Sequence, residues 1–179
     1  MNDIGEKLAK YVKDVPDFPA KGVLYRDITG ILESGEGFRL AIDALAAALD
    51  GVKIDRIAGP EARGFIFGAA VADRLGCAFI PVRKGGKLPR ETISEDYSLE
   101  YGKATLHMHA DAVKPGENIA IIDDLLATGG SARAAARLVE RLGGKVVKML
   151  FPIELEGFGA RQGVLAGYDI VSLIRYPGK

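Results

Sequence analysis

The sequence holds one cysteine among 179 residues, so neither an intramolecular disulfide nor a multi-cysteine zinc site is possible within it. Cys77 lies in the apolar run Cys77-Ala78-Phe79-Ile80-Pro81-Val82, where a free thiol is expected to act as a small buried hydrophobe. Net charge is missing too. The 24 Lys and Arg balance 24 Asp and Glu, which removes any global field toward nucleic acid or an anionic membrane and makes local clusters decisive. No apolar run approaches the roughly 18 residues of a membrane span, and Met1-Asn2-Asp3-Ile4-Gly5-Glu6-Lys7 has neither the basic start nor the apolar middle of a secretory signal. The expected setting is a reducing cytoplasm, with no nucleic-acid and no membrane partner. Internal repeats and low-complexity tracts are also lacking.

What is present fits one globular domain spanning residues 1–179. The chain has 48% hydrophobic and 27% charged residues, a composition that supports a packed core. From residue 36 two periods alternate. Phe38, Ile42, Leu45 and Leu49 form one apolar stripe on a helix over 36–50 that Gly51 stops. Ile54 to Ala58 then reads as a strand ending at Gly59-Pro60, Gly64 to Leu75 as a helix closed by Gly76, and Cys77 to Val82 as a short strand broken by Pro81. Asn118 to Ile122 is apolar on both faces, as a buried parallel strand should be. Ser131 to Leu142 is helical, Lys145 to Phe151 is a strand, and Tyr168 to Ile174 reads as a terminal strand. Recurrent strand, helix, strand predicts right-handed crossovers onto one sheet, hence a doubly wound, mainly parallel α/β fold.

Two segments resist both periods. Residues 14–22 carry Pro16 and Pro19 and sustain no apolar face, so they are read as an irregular cap. Residues 83–103 hold Gly85, Gly86, Pro89 and Gly102 among nine charged side chains. Unstructured stretches beyond about 12–15 residues inside a domain are usually functional lids or disordered, and a lid is expected here. His107 and His109 alternate and share a strand face, which permits a metal pair, although a polar exposed face is the simpler account.

The most informative segment is Ile121-Ile122-Asp123-Asp124-Leu125-Leu126-Ala127-Thr128-Gly129-Gly130-Ser131. It joins a buried strand to a helix at the carboxyl edge of a parallel sheet, where such folds bind ligands. Thr128-Gly129-Gly130-Ser131 can wrap a phosphate with backbone N–H groups and two hydroxyls at the positive end of a helix. Asp123 and Asp124 repel a phosphate but accept hydrogen bonds from sugar hydroxyls, or hold Mg²⁺ through water. A plain tight turn with Ser131 as helix cap would explain the glycines and leave two adjacent acids unexplained. Neither a P-loop nor a three-glycine dinucleotide turn fits, because no Gly-Lys-Ser/Thr and no three spaced glycines follow the strand.

This segment resembles the phosphoribosyl pyrophosphate signature of type I phosphoribosyltransferases, and the likeness extends to the adenine-using members. Phe18-Pro19, Gly22 to Thr29, Ala62-Arg63-Gly64-Phe65, Arg83-Lys84, Gly86-Lys87-Leu88-Pro89 and Tyr97 to Gly102 are similar to blocks of those enzymes, in their order. The resemblance covers about residues 14–152 and is looser beyond. It implies transfer of phosphoribose from phosphoribosyl pyrophosphate to adenine, with Mg²⁺ and a homodimer. Ala127, Thr128, Gly129, Gly130 and Ser131 would then hold the 5′-phosphate, and Asp123 and Asp124 the ribose hydroxyls. Arg63, Lys84, Lys87 and Tyr101 would meet the pyrophosphate. Val23, Tyr25 and Arg26, the last through its backbone, would meet the adenine within a base-binding cap of about residues 14–30. Glu100 would lie near the purine N7 and, with Arg63, serve catalysis.

Overall fold

The computed structural model describes residues 3–98 and 103–178. Helix α1 (Asp3–Ala9) leads into a two-stranded antiparallel ribbon, β1 (Lys13–Pro16) with β2 (Leu24–Asp27). Helices α2 (Thr29–Glu33) and α3 (Gly35–Ala47) follow, then β3 (Arg56–Pro60), α4 (Arg63–Leu75) and β4 (Ala78–Lys84). Strands β5 (Thr92–Ser98) and β6 (Lys103–His109) precede β7 (Asn118–Ile122), the short β8 (Leu125–Leu126), α5 (Gly130–Arg141), β9 (Lys145–Leu155) and β10 (Ile170–Tyr176). The main sheet has the order β10-β9-β7-β3-β4-β6-β5, with β8 also on β9. Its first five strands are parallel, and β6 and β5 add antiparallel at the far edge.

The strands are apolar on both faces because helices cover both. Ile119 and Ile121 of β7 join Ala58, Met149 and Phe151 in the core under α5. Ala120 and Ile122 join Ile57, Leu150 and Ile153 in the core under α3 and α4, with Leu45, Phe67 and Val71. The expected doubly wound arrangement is therefore the one observed. Helix α3 starts where the Ser34 hydroxyl accepts from the Gly37 amide at 3.1 Å, and α4 ends on Gly76 at φ 67°, the left-handed cap that glycine adopts without penalty.

Three expectations change. The strand expected to stop at Gly59-Pro60 includes both residues, and the strand expected to break at Pro81 runs on to Lys84. The Glu61 amide donates to the Val82 carbonyl, so residue 82 faces β3 and Pro81 faces the other way. There β6 pairs only from Arg83 onward, and the missing N–H costs no ladder bond. Pro60 likewise faces β7, which pairs with β3 only through Ala58. Second, much of the stretch read as an unstructured lid is strand, with β5 and β6 in register from Thr92↔His109 to Ser98↔Lys103. On β5 the α5-facing residues are Ile93, Glu95 and Tyr97. A carboxylate in the middle hides the alternation, and Arg137 and Arg141 of α5 neutralise it at 2.9 and 3.2 Å. Third, part of the irregular cap is the β1–β2 ribbon, which escapes a period-two reading because β1 is exposed on both faces.

Candidate functional site

In the sheet order the chain moves from β3 outward to β4 on one side, while β7 leads outward to β9 on the other. The loops leaving β3 and β7 diverge, and the crevice between them is the topological switch point where open α/β sheets bind ligands. A cleft of about 440 Å³ lies there, lined among others by Arg63, Lys84, Asp123, Asp124, Thr128 and Ser131. Six of the residues read from the sequence thus meet in one place.

Strand β9 fixes the acidic pair. The Asp123 amide donates to the Leu150 carbonyl at 3.2 Å and the Ile153 amide to the Asp124 carbonyl at 3.3 Å, so β7 keeps contact with β9 through the turn and resumes as β8. Asp123 is buried. Its carboxylate accepts from the Asp124 amide at 2.9 Å and from the Ser131 hydroxyl at 3.2 Å. Burial, and then the Asp124 charge, push its pKa well above the ordinary 3.8. Asp124 has a cation: its Oδ2 accepts from Arg63 Nε. Gly64 lets α4 come this close, since a Cβ there would stand 2.8 Å from Asp123 Oδ1 and 3.1 Å from the Ile122 carbonyl.

Two helix N-termini open on this region. Gly129, at φ 79°, starts α5, and Ala62 starts α4; neither end has a side-chain cap among the described residues. A Cβ on Gly129 would fall 2.9 to 3.1 Å from Val164, Ala160 and Leu165, so the loop Ala127-Thr128-Gly129-Gly130 turns tightly against the segment behind it. Uncapped N–H groups with the helix dipole behind them suit an anion.

The other expected residues divide. Tyr25 of the ribbon reaches the cleft: its hydroxyl accepts from Arg63 Nη1 at 3.4 Å, and its ring meets Phe18 edge-on at 5.2 Å. Val23 is 44% exposed beside them. The Arg26 side chain is committed elsewhere, paired with Asp14 and lying 4.1 Å over the Tyr176 ring, and its backbone lies opposite Asp14 in the β1–β2 ladder. Lys87 is exposed on the turn after β4 and does not line the cleft; Arg83 Nη1 holds that turn through the Lys87 carbonyl at 3.3 Å. Glu100 and Tyr101 lie outside the described residues.

Glu61 and Tyr97 line the cleft without having been singled out. Glu61 accepts from Arg83 Nε, joining the β3 turn to the end of β4. Burial, then the Asp123 charge, raise the Tyr97 pKa and keep its phenol a donor. No local signal marks it, because Glu95 interrupts the apolar alternation of Ile93 and Tyr97 on β5. His107 and His109 do share a β6 face, where their Nδ1 atoms lie 3.5 Å from Thr92 Oγ1 and 3.2 Å from Arg90 Nη2. Among the described residues no group of three or more His, Cys, Asp and Glu side chains is placed to hold a metal.

An uncapped helix pair, a buried acidic pair and an arginine across a switch-point cleft suit a ligand with anionic ends and hydroxyls between. Comparison with known proteins agrees. The phosphoribosyl transferase domain family matches residues 29–156. A curated adenine phosphoribosyltransferase of Lachnoclostridium phytofermentans is 52% identical over 97% of this chain and 99% of its own length. The crystal structure of adenine phosphoribosyltransferase from Thermoanaerobacter pseudethanolicus superposes with a TM-score of 0.92 at 51% identity, covering 96% of this chain and 99% of that one. The Saccharomyces cerevisiae enzyme, solved in complex with an imino-altritol bisphosphate and adenine, superposes at 0.90 with 37% identity, over 97% of this chain and all of its own. With the signature cleft in place and likeness running almost end to end, the chain belongs to the phosphoribosyltransferase family and, within it, to the adenine phosphoribosyltransferases.

Proposed function

We propose that this protein converts adenine and 5-phosphoribosyl 1-pyrophosphate to AMP and pyrophosphate, a purine-salvage reaction. The convergence of Arg63, Lys84, Asp123, Asp124, Thr128 and Ser131 on one cleft carries the reading. The loop Ala127 to Ser131 takes the 5′-phosphate at the start of α5, and Asp123 and Asp124 accept from the ribose hydroxyls. Arg63 and Lys84 face the pyrophosphate, joined by Lys87 from the turn after β4 and by Tyr101. Tyr25 and Val23, with the backbone at Arg26, receive the adenine on the cap side of Arg63.

In the reaction the adenine N9 lone pair forms a bond to C1 of the ribose while the bond from C1 to the pyrophosphate oxygen breaks. Pyrophosphate leaves with that electron pair, and the purine sheds one proton, which Glu100 near N7 guides. Charge grows on the pyrophosphate oxygens as the bond breaks, so fixed cations and the N-terminus of α4 aimed there act more strongly in the transition state than before it. Substrates that fill the cleft exclude water, which would otherwise attack the same carbon and waste the donor as ribose phosphate.

The donor set decides how Mg²⁺ fits. Each cleft carboxylate already has a protein partner: Asp123 has Ser131, Asp124 has Arg63, and Glu61 has Arg83. These residues suit an ion that arrives on the donor's own oxygens, held by Asp123 and Asp124 through water, rather than an all-protein cage. When bound, it supplies charge neutralisation at the leaving group. The reading extends to a homodimer and to the cytoplasm, where a lone thiol such as Cys77 stays reduced. Among the described residues no helix is long and apolar enough to cross a membrane.

The deciding assay mixes the purified protein with phosphoribosyl pyrophosphate and Mg²⁺, adds adenine, hypoxanthine, guanine, xanthine or orotate in separate reactions, and measures nucleotide. AMP should form fastest. If another base wins, the cap assignment falls and the donor site stands; binding of the donor without turnover of any base would make the protein a sensor instead. Glu100→Gln should lower turnover by about 10²–10⁴-fold at saturating substrates, the usual worth of a positioned acid or base, with the unfolding temperature unchanged.

A further inference from the structure

Arg63 and Asp124 stand on opposite lips of the switch-point crevice, one at the start of α4 and the other after β7, and they are paired with each other. The two groups differ in exposure: the Arg63 side chain is 48% accessible and the Asp124 side chain 9%. Asp124 also adjoins Asp123, whose protonation is favoured by burial and by the Asp124 charge. Arg63 is therefore the cation that offsets a buried acidic pair, and withdrawing it without replacement leaves that pair uncompensated. The same guanidinium reaches the Tyr25 hydroxyl. A ligand anion that claims Arg63 must draw it from Asp124, and ligand hydroxyls that claim Asp124 must displace Arg63 from it.

We propose that the Arg63–Asp124 pair is a selectivity device for the intact donor, an inference that rests on the reading of the site given above. A ligand carrying both a pyrophosphate and ribose hydroxyls satisfies both partners as it separates them. A fragment satisfies one and strands the other. Free pyrophosphate takes Arg63 and leaves Asp124 buried without a cation; ribose 5-phosphate offers hydroxyls to Asp124 and leaves Arg63 without its anion. The pair thus lowers the affinity of each half relative to the whole, which favours the complete substrate over its breakdown products. Discrimination here comes from what the wrong ligand leaves unpaired, not from a contact that only the right ligand makes.

Calorimetric titration of three probes tests this: pyrophosphate without divalent metal, ribose 5-phosphate, and phosphoribosyl pyrophosphate with Mg²⁺. Asp124→Asn removes the competing anion, so it should bind pyrophosphate about ten-fold tighter than wild type and the whole donor more weakly, a crossing pattern that simple loss of site structure would not give. Arg63→Gln should show the converse, with ribose 5-phosphate bound tighter and the donor more weakly. Pyrophosphate bound no tighter by Asp124→Asn, while wild type binds the donor, overturns the inference alone. Should that variant not fold, the Arg63→Gln arm decides, and unchanged or weaker ribose 5-phosphate binding overturns it. A wild-type protein that ignores the whole donor overturns the reading of the site and this inference together.

Discussion

Asp123 and Glu154 are both buried acids near the carboxyl ends of neighbouring parallel strands, β7 and β9, and they are treated in opposite ways. Glu154 is closed. Arg161 grips it with Nε at 2.8 Å and Nη2 at 2.8 Å, and further Arg161 N–H groups donate to the Ile170 carbonyl and the Ser172 hydroxyl. Arg175 lies 3.7 Å away. Burial works against its charge, but these hydrogen bonds and charges prevail and hold the Glu154 carboxyl below its ordinary 4.5. Asp123 has only an amide and a hydroxyl, with a second acid beside it, and its pKa goes up. A carboxylate whose lone pairs are all taken by the protein holds the tail to the sheet; one left short of cations is held ready for something that is not protein.

The largest way to break this contrast is Arg161→Ala, which strands a buried charge. A loss of about 3–5 kcal/mol is expected, seen as a lower midpoint in urea, with turnover retained by whatever fraction stays folded. If the midpoint hardly moves, Glu154 is not the anchor described. Next comes Gly64→Ala, whose methyl is driven onto Asp123 Oδ1 and the Ile122 carbonyl. Overpacking of this kind costs about 1–3 kcal/mol, and turnover should fall even well below the unfolding temperature, because the displaced group belongs to the cleft. Asp123→Asn should act in the reverse sense on stability. It removes a poorly compensated buried charge, so thermal unfolding near neutral pH should rise by a few degrees, equivalent to about 1 kcal/mol, while turnover drops. A fall in both would mean that Asp123 is as structural as Glu154.

The smallest effect sharpens the comparison through pH. Asp123 has a folded pKa above its unfolded value, so its penalty is fully present above the folded value and is relieved as pH falls through it. Glu154 has a folded pKa below its unfolded value, so its stabilisation is present above about the ordinary 4.5 and is lost as pH falls through the folded value. The stability difference between Asp123→Asn and wild type should therefore shrink as pH is lowered from 7, before the acid loss due to Glu154 begins. A difference that stays constant with pH would contradict the assignment of the raised pKa to Asp123.

The sequence made the central architecture legible because the residues that specify it are close together. Ile119 to Ile122 declare a strand covered on both faces, and the turn from Asp123 to Ser131 holds acids, glycines and hydroxyls within nine positions. Features built from distant partners were not legible. Strand β5 carries Glu95 where an apolar residue would have shown the alternation, and the arginines that neutralise it come 42 and 46 residues later. Glu154 shows nothing locally of Arg161 and Ser172. Pro60 and Pro81 misled in another way: each looks like a strand end, and each is harmless because its nitrogen points toward a neighbour that has already diverged or has not yet begun to pair.

The 11 residues of β9 pair with β7 at one end, with β8 near the other, and with β10 on the opposite side. One strand is thus the common ruler for the acidic turn and for the tail. Inserting or deleting a single residue between Leu150 and Ile153 would turn the following side chains over and shift Asp124 and Glu154 against each other at once. Loops around this sheet are free to change length, but this stretch is not: drift here must proceed by substitution alone, and the count of residues between the two acids' backbone partners is a heritable dimension of the molecule.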